Sequence, residues 1–428
     1  MKTTGIQPVV FFIQFLIYFC FSKFKLNYRF KLFNEFNWFN GYKMHIVEVT
    51  SKKDQQDFLL LPVDLYKTDP NWIRPLDKDI EVVFDREKNK FFRHGDCTRF
   101  LLKNDQGVTI GRIAAFYNER TSKKESQPTG GIGFFESPND QNAANMLFDA
   151  GKQWLAARNM EAMDGPINFG ERDSWWGLII EGFDPVPYKM NYNKPYYKQL
   201  FENYGFKTYF EQWCFSSTVH NQLQGKFHTR HQLISADPNY SSKHFKKSQL
   251  EKFAEDFRTV YNKAWARHGG GKELEPKQTL HLFKSMKPVI DEKLIWFVYY
   301  KNEPVGAWIN LPDINQIFKK FNGKFGLFQK LRFIIELRRR KIKKMYGLVF
   351  GIVPEHQAKG VDAYMILEGA NSFMKDNIYH DFEMQWIGDF NPKMVSVAQN
   401  LDSTKSRILV TYRYLFDRNK EFKRHPML

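Results

Sequence analysis

Cysteine is scarce in this 428-residue chain, which contains only Cys20, Cys97 and Cys214. Their spacing fits neither a disulfide framework nor a zinc site, which indicates a reduced intracellular setting and predicts no bound metal. Nucleic-acid-binding motifs are also missing, since no helix-turn-helix, zinc finger or aromatic RNA-binding strand occurs, and a nucleic-acid partner is therefore disfavoured. The apolar run at residues 9–21 has 13 positions, fewer than the roughly 20 that a membrane-spanning helix needs.

The first 43 residues differ from the rest because they show neither helical nor strand periodicity. No small-residue cleavage site follows the apolar run, which argues against a signal peptide. We expect that the start codon is assigned too far upstream and that Met44 opens the protein. The alternative is a short anchor that touches a membrane.

Positive charge and aromatic residues are the unusual features of the composition. The net charge is +17 and aromatic residues make up 17% of the chain. Such a charge favours an anionic partner, either a lipid surface or a phosphate-rich cofactor once nucleic acid is disfavoured.

Two stretches of the sequence, residues 98–160 and 294–378, share one order of elements. Each reads as a strand pair, a further strand and then a helix. In each, a proline stands three residues before a glutamine near the start of that helix, Gln141 or Gln357. A period this long indicates a duplicated domain. The predicted domains are residues 44–222 and residues 223–428.

The junction between strand and helix suggests anion binding, because a helix start offers unpaired backbone N–H groups and a partial positive charge. In the second copy, where we predict a helix over residues 357–377, Ala358 and Gly360 leave room for a phosphate. This turn resembles the acyl-CoA motif of the GNAT acyltransferase superfamily, (Gln/Arg)-x-x-Gly-x-(Gly/Ala). Gln357 and Gly360 match it, whereas Asp362 replaces the final small residue. The first copy keeps little of the motif, so we expect it to have lost donor binding.

From Met44 onward, the chain resembles a little-characterised bacterial family of tandem GNAT-like proteins, the predicted N-acyltransferases. The segments that carry the resemblance are residues 111–115, 133–136, 165–169, 192–197, 204–206, 312–316, 386–391 and 412–414. It implies an α/β (α+β) fold of two tandem domains, each with a mixed, mostly antiparallel sheet flanked by helices. It also implies acyl transfer from a CoA or carrier-protein thioester to an amine, without a metal. The acceptor, a lipid or another large molecule, would lie between the domains.

The resemblance and the positions of polar residues together give the candidate site. The catalytic candidates are Asp389 and Asp313 as bases at strand ends, His356 as a further base beside the turn, and Tyr197 as the acid that protonates the thiolate. The donor-binding candidates are Ile352, Val353, Gln357, Ala358, Lys359, Gly360 and Val361. The substrate-binding candidates are Glu136, Asn168, Tyr192, Asn193, Tyr196, Asn315 and Asn391. Each also has a structural alternative as a solvated group, a packing side chain or a helix cap, as for Asn391 before a proline.

An insertion at residues 312–346, which the first copy lacks, leaves several interpretations open. Residues 319–344 hold eleven Lys or Arg residues around an apolar stripe. A helix of this kind lies on an anionic membrane, clamps CoA phosphates, touches nucleic acid, or packs on its own domain with a solvated basic face. We therefore expect a cytoplasmic enzyme, with contact to the inner face of the membrane as one option. The alternative function is a catalytically inactive GNAT-like binding or scaffold protein.

Overall fold

The computed structural model describes residues 43–122, 127–220, 223–266 and 273–427. The predicted start at Met44 concerns residues 1–43, of which 1–42 lie outside this described part, and it stays a prediction.

Strands and helices alternate along the described chain. The strands are β1 His45–Glu48, β2 Gly95–Lys103, β3 Thr109–Asn118, β4 Thr129–Glu136, β5 Ala162–Gly165, β6 Leu178–Glu181, β7 Lys207–Thr218, β8 Tyr240–His244, β9 Ile295–Tyr300, β10 Glu303–Pro312, β11 Lys344–Ile352, β12 Asp381–Gly388 and β13 Thr404–Leu415. The helices are α1 Lys52–Leu65, α2 Asp77–Val83, α3 Glu119–Ser122, α4 Gln141–Ala156, α5 Tyr197–Tyr204, α6 Gly225–Ser235, α7 Leu250–Tyr261, α8 Pro276–Met286, α9 Asn315–Phe318, α10 Leu327–Arg338, α11 Val361–Met374 and α12 Pro392–Asn400.

One mixed sheet runs through both copies, in the order β1-β2-β3-β4-β5-β13-β7-β12-β11-β10-β9-β8, with β6 pairing β13 at the side. The predicted α/β class with a mixed, mostly antiparallel sheet is confirmed. Within each copy, the strand before the main helix and the strand after it run parallel, as β4 and β5 do in the first copy and β11 and β12 in the second.

The two copies exchange their last strands. The C-terminal strand β13 pairs with β5 of the first copy, and its Val410 and Tyr412 are buried in the first copy's core. Strand β7 pairs with β12 of the second copy, and its Phe215 packs there against Ile387 and Val395. The domain boundary near residue 222 stays a prediction, and each copy depends on a strand from outside its own predicted segment.

The helices bury the faces that their periodicity predicts. In α4 the buried positions include Ala144, Leu147, Phe148 and Leu155, which recur at helical spacing. The predicted start of the second copy's main helix at residue 357 is wrong, because α11 begins only at Val361. The turn that precedes Val361 contains residues with positive φ angles, and an α-helix cannot include such residues.

Each pair of parallel strands separates after a few residues. Strands β11 and β12 pair only from Lys344 with Asp381 to Gly347 with Met384. Beyond this point β11 continues against β10 as far as Ile352, while β12 continues against β7. A cleft therefore opens between the ends of β11 and β12, beside the start of α11. A β-bulge in β11 at the same position adds to the separation.

Candidate active site

The turn that we predict to bind the acyl donor comprises residues 357–360 of the second copy and is called the donor turn below. Ala358 has φ of 60° and Gly360 has φ of 96°, a left-handed conformation that favours glycine at the N-cap position of α11. Gln357 is tied back to its own strand, because its Nε2 donates to the carbonyl oxygen of Ile352 at 2.9 Å. In the described structure, no side chain caps this helix start, so its N–H groups remain suited to an anionic ligand.

The surroundings of this turn are basic. Lys359 is exposed at the turn. Arg230 of α6 lies against Gly360 and places its Nη1 3.9 Å from Oδ2 of Asp362. The residue that departs from the family motif, Asp362, is thus partly compensated by Arg230. Nearby, His356 forms a 2.7 Å hydrogen bond with Oη of Tyr240, and burial lowers its pKa.

The corresponding helix start in the first copy is occupied by the chain itself. Asp140 is the N-cap of α4, and its Oδ1 accepts hydrogen bonds from the N–H groups of Asn142 at 2.7 Å and Ala143 at 3.1 Å. A carboxylate there takes the place that a phosphate would need. The Nε2 of Gln141 donates to the carbonyl oxygen of Leu200 at 3.1 Å.

A cavity at the closed end of this cleft, where β11 and β12 are still paired, contains a carboxyl group whose pKa is shifted towards neutrality. Asp313, whose backbone N–H donates to the carbonyl oxygen of Lys344 at the start of β11, lines this cavity together with Tyr346 of β11 and Gln385 of β12. Burial raises the pKa of Asp313 to about 7, although Lys344 opposes the shift. A carboxyl group with this pKa exchanges protons readily at neutral pH, as a general base requires.

Two polar groups of this cavity have no protein partner among the described residues, namely Oη of Tyr346 and Nε2 of Gln385. Tyr346 and Gln385 are buried, with exposed fractions of only 4% and 8%. Burial and the neighbouring Asp313 raise the pKa of Tyr346 well above its usual value, so its hydroxyl stays protonated. Buried polar groups are nearly always hydrogen-bonded, and two orphans in one cavity indicate a ligand site.

The first copy contains a contrasting buried cluster around Glu136. Its Oε2 accepts hydrogen bonds from Tyr66 at 2.8 Å and Tyr197 at 2.7 Å, and Arg112 approaches Oε1 at 3.3 Å. Burial raises the pKa values of Glu136, Tyr66 and Tyr197 and lowers the pKa of Arg112. Tyr196 donates to the carbonyl oxygen of Ser137 at 2.8 Å. This network lines a second cavity, of about 80 Å³.

The remaining predicted residues are distributed over several parts of the sheet. Asp389 forms an ion pair with Arg424 near the C-terminus, and burial raises its pKa. Asn391 accepts a hydrogen bond from the N–H of Met394 at 3.2 Å and caps α12, which matches its structural alternative.

Four predicted substrate residues lie in or beside the irregular segment of the first copy. Tyr192 donates to Asp69 at 3.0 Å, and Asn193 bridges the backbone of Ile179. Asn315 of the second copy donates to the carbonyl oxygen of Val186 at 2.8 Å and so joins the two copies. Asn168 is buried, and its Oδ1 has no partner within the described structure. The structure therefore places Asp313 beside the start of β11, in the cavity at the closed end of the cleft, with the turn at residues 357–360 beyond the other end of that strand. Tyr197, Tyr196 and Glu136 lie together in the first copy.

Sequence reasoning missed Tyr346, Gln385 and Arg230. Gln385 alternates with Asp381 and Glu383 along β12, so its pattern does not separate it from polar strand positions, and the bulge in β11 interrupts the alternation at Tyr346. Arg230 comes from α6, which precedes the repeated unit, and no local pattern connects it to the turn.

Neither a metal cluster nor a membrane-spanning helix is found in the described ranges. No group of three or more His, Cys, Asp or Glu side chains is placed to hold a metal there. None of the helices formed by the described residues is both long enough and apolar enough to cross a bilayer.

The duplicated mixed sheet, with its split parallel strands beside helix starts, defines a tandem GNAT-like fold. In agreement, a solved structure described as a GCN5-related glucosamine N-acetyltransferase region of a fungal multi-domain GH3 beta-N-acetylglucosaminidase superposes with a TM-score of 0.51 at 10% identity. The match covers 87% of this chain and spans only 38% of that one, so it supports the fold alone.

Curated relatives resemble the chain over most of its length. It is 24% identical over 375 residues to the bacterial ceramide synthase of Caulobacter vibrioides, covering 86% of this chain and 96% of the relative. It is 21% identical over 357 residues to protein YghO of Escherichia coli K12, covering 82% and 90%. No protein-family model matches. The tandem GNAT-like fold predicted from the motifs is confirmed, and the likeness to these relatives supports the predicted acyltransferase class.

Proposed function

We propose that the protein is an N-acyltransferase that binds an acyl-CoA in its second copy and transfers the acyl group to the amine of a lipid acceptor. The observation that carries this proposal is the separation of β11 and β12, which has an uncapped helix start beyond its open end and, at its closed end, a cavity lined by Asp313, a carboxyl group of pKa about 7. The name of the Caulobacter relative, a ceramide synthase, supports a lipid acceptor.

Two features of the second copy would bind the donor together, namely the donor turn and the separated strands. The CoA pyrophosphate would meet the N–H groups of the donor turn and the charge of Lys359. The pantetheine arm would then enter between the separated strands. Beyond Gly347 and Met384, the facing edges of β11 and β12 no longer pair with each other. Backbone N–H groups on these edges are suitable donors to the oxyanion that develops on the thioester carbonyl.

The chemistry needs one base and one acid. The amine nitrogen attacks the thioester carbon, the C–S bond breaks, and a proton leaves the nitrogen. Asp313 would take this proton, and a protonated group must return one to the thiolate. Tyr346 lines the same cavity and keeps its proton at neutral pH, so it is a second candidate acid beside the predicted Tyr197.

The insertion helix α10 supports contact with a membrane. Five apolar residues on its outer side are exposed, with exposed fractions of 42% to 84%, and these are Leu327, Phe328, Leu331, Ile334 and Ile335. The same helix and its flanks carry the basic residues. An apolar stripe bordered by cations suits an anionic lipid surface, where the stripe enters the acyl boundary.

The donor site is tested by calorimetric titration with acetyl-CoA and palmitoyl-CoA. Replacement of Gly360 is unsuitable, because a Cβ atom there would lie 3.1 Å from Cβ of Arg230 in a backbone conformation that side chains rarely adopt. Lys359→Glu avoids this strain and should weaken CoA binding about tenfold through repulsion of the phosphates. Lys393→Glu reverses an exposed charge in the first turn of α12 and should leave the affinity unchanged. Absence of CoA binding to the wild-type protein would favour the scaffold alternative.

Membrane contact is tested by flotation with vesicles of phosphatidylglycerol and phosphatidylcholine. Phe328→Ser combined with Leu331→Ser should release the protein from vesicles, because both side chains are exposed and their loss removes buried area only in the bound state. Leu233→Ser, at an exposed position of α6, is the matched control. Equal flotation of all variants would exclude α10 as the membrane element.

A further inference from the structure

An apolar cavity of about 70 Å³ lies beneath the insertion of the second copy. Leu348 of β11 and Gln385 of β12 line it, and each follows directly after the last paired residue of its strand. The cavity therefore borders the cleft in which we place the thioester. Met286 and Leu76 contribute further apolar walls, so both copies take part in the enclosure.

Aromatic side chains of the insertion close the cavity from outside. Phe333 of α10 stacks on Phe318 with ring centroids 5.2 Å apart and meets Phe325 at 5.7 Å. On the other side, Phe318 contacts Tyr188 of the first copy at 5.1 Å. Helix α10 thus has one face towards the cavity and the opposite face, with Phe328 and Leu331, towards solvent.

The cavity has a polar end. Asp313, Tyr346 and Gln385 contribute polar groups to its lining, and the last two carry the orphaned hydroxyl and amide groups described above, whereas the hydroxyl of Tyr188 is engaged by Asp79. A carboxylate accepts hydrogen bonds from an amine, whereas the hydroxyl and amide can donate to a polar substituent beside that amine. An apolar wall with convergent polar groups at one end is the usual form of a ligand site.

We propose that this cavity binds the aliphatic chain of a long-chain primary amine, with the amino group at Asp313 and polar head contacts to Tyr346 and Gln385. This inference rests on the proposed function, for which it names the acceptor site and the shape of the acceptor. The alternative source of an aliphatic chain is the acyl group of the donor. The carboxylate at the polar end favours the amine, because a thioester offers it no hydrogen-bond donor.

The test is calorimetric binding of hexylamine, octylamine and decylamine to the full chain. Each methylene buried in the cavity should raise the affinity about fourfold, from the ~0.8 kcal/mol per buried methylene group. The gain should level off along the series, because 70 Å³ is small beside the roughly 300–1,000 Å³ of pockets that enclose whole drug-sized ligands. Affinities that do not depend on chain length would overturn the proposal.

Two variants probe the two ends of the cavity. Val289→Phe fills the apolar part and should weaken decylamine binding at least tenfold, whereas Val108→Phe makes the same replacement at an exposed position before β3 and should leave decylamine binding unchanged. Tyr346→Phe removes only the hydroxyl. It should weaken binding of a 2-amino alcohol of equal chain length by about two- to tenfold while preserving the chain-length dependence. It also keeps the test valid if Val289→Phe fails to fold.

Binding of an acyl-CoA distinguishes an amine chain from an acyl chain in the cavity. An acyl-transfer assay then distinguishes failure of the cavity assignment from failure of the proposed function. Dodecanoyl-CoA should bind Val289→Phe as well as it binds the wild-type protein. Loss of dodecanoyl-CoA binding with amine binding retained would assign the cavity to the acyl chain and overturn the proposal. Chain-dependent amine binding without any acyl transfer would contradict the proposed function alone, whereas transfer with unchanged chain preference in Val289→Phe would contradict the cavity assignment alone.

Discussion

The two copies of the fold begin their main helices in opposite ways. In the first copy, the carboxylate of Asp140 accepts hydrogen bonds from two N–H groups at the start of α4. In the second copy, α11 begins at Val361 and its N-cap is Gly360, with no side-chain cap in the described structure and the exposed Lys359 next to it. Duplication thus provided two similar junctions, one satisfied internally and one left suited to an anion.

The buried carboxyl groups of the two copies differ in the same way, because one is engaged within the protein and the other lies beside polar groups without partners. Glu136 of the first copy is surrounded by two phenol donors and an arginine, so its oxygens are engaged in a network that stabilises the fold. Asp313 of the second copy shares a cavity with two orphaned polar groups. A group whose neighbours lack partners is the better candidate for substrate contact, because catalytic groups must be available to the reacting atoms.

The largest effect should follow from Asp313→Asn. We expect acyl transfer to an amine to fall about 100- to 10,000-fold, the range typical for loss of a general base. In the wild-type protein kcat/KM should rise with pH up to about 7 as Asp313 loses its proton, and this step should vanish in the variant. Asp381→Asn, an exposed acid at the start of β12, should retain both activity and profile. The same pH step in Asp313→Asn would rule out this residue as the base.

The corresponding change in the first copy, Glu136→Leu, should act on stability instead of donor binding. It leaves the buried Arg112 and two phenols without their acceptor, which should lower the free energy of unfolding by about 3–5 kcal/mol. Urea unfolding measures this cost, and Glu181→Leu at an exposed strand end is the control. The affinity for CoA should not change. A loss of CoA affinity in well-folded Glu136→Leu would show that the first copy participates in donor binding.

A smaller effect is expected at the first copy's helix start. Asp140→Ala removes two N-terminal hydrogen bonds of α4 and should cost about 1 kcal/mol in urea unfolding. Gln153→Ala on the exposed side of the same helix should cost little. If Asp140 closes this junction to anions, the variant should also bind inorganic phosphate there more tightly than the wild-type protein does. Equal phosphate affinities would mean that other features close the first copy.

Local patterns in the sequence predicted the elements well but could not predict features that depend on distant contacts. The periodicity of α4 predicted its buried face, whereas the donor-binding role of Gln357 and Gly360 stays a prediction. The bulge in β11 hides the inward orientation of Tyr346, because it interrupts the alternation from which a strand's faces are read. The exchange of β7 and β13 was not foreseen either, since antiparallel strand partners so far apart in sequence leave no local signal.

The smallest effect should come from Arg230→Ala at the second copy's helix start. Its pair with Asp362 is long and half exposed, at 3.9 Å, so its loss should change the free energy of unfolding by less than about 0.5 kcal/mol. Without Arg230, however, the charge of Asp362 stands uncompensated beside the donor turn, and we expect CoA affinity to fall about two- to fivefold at low salt. The double variant with Asp362→Ala should recover wild-type affinity, because it restores the small residue of the family motif. If the double variant binds as weakly as Arg230→Ala, Arg230 contacts the donor directly, and its role is more than compensation of Asp362.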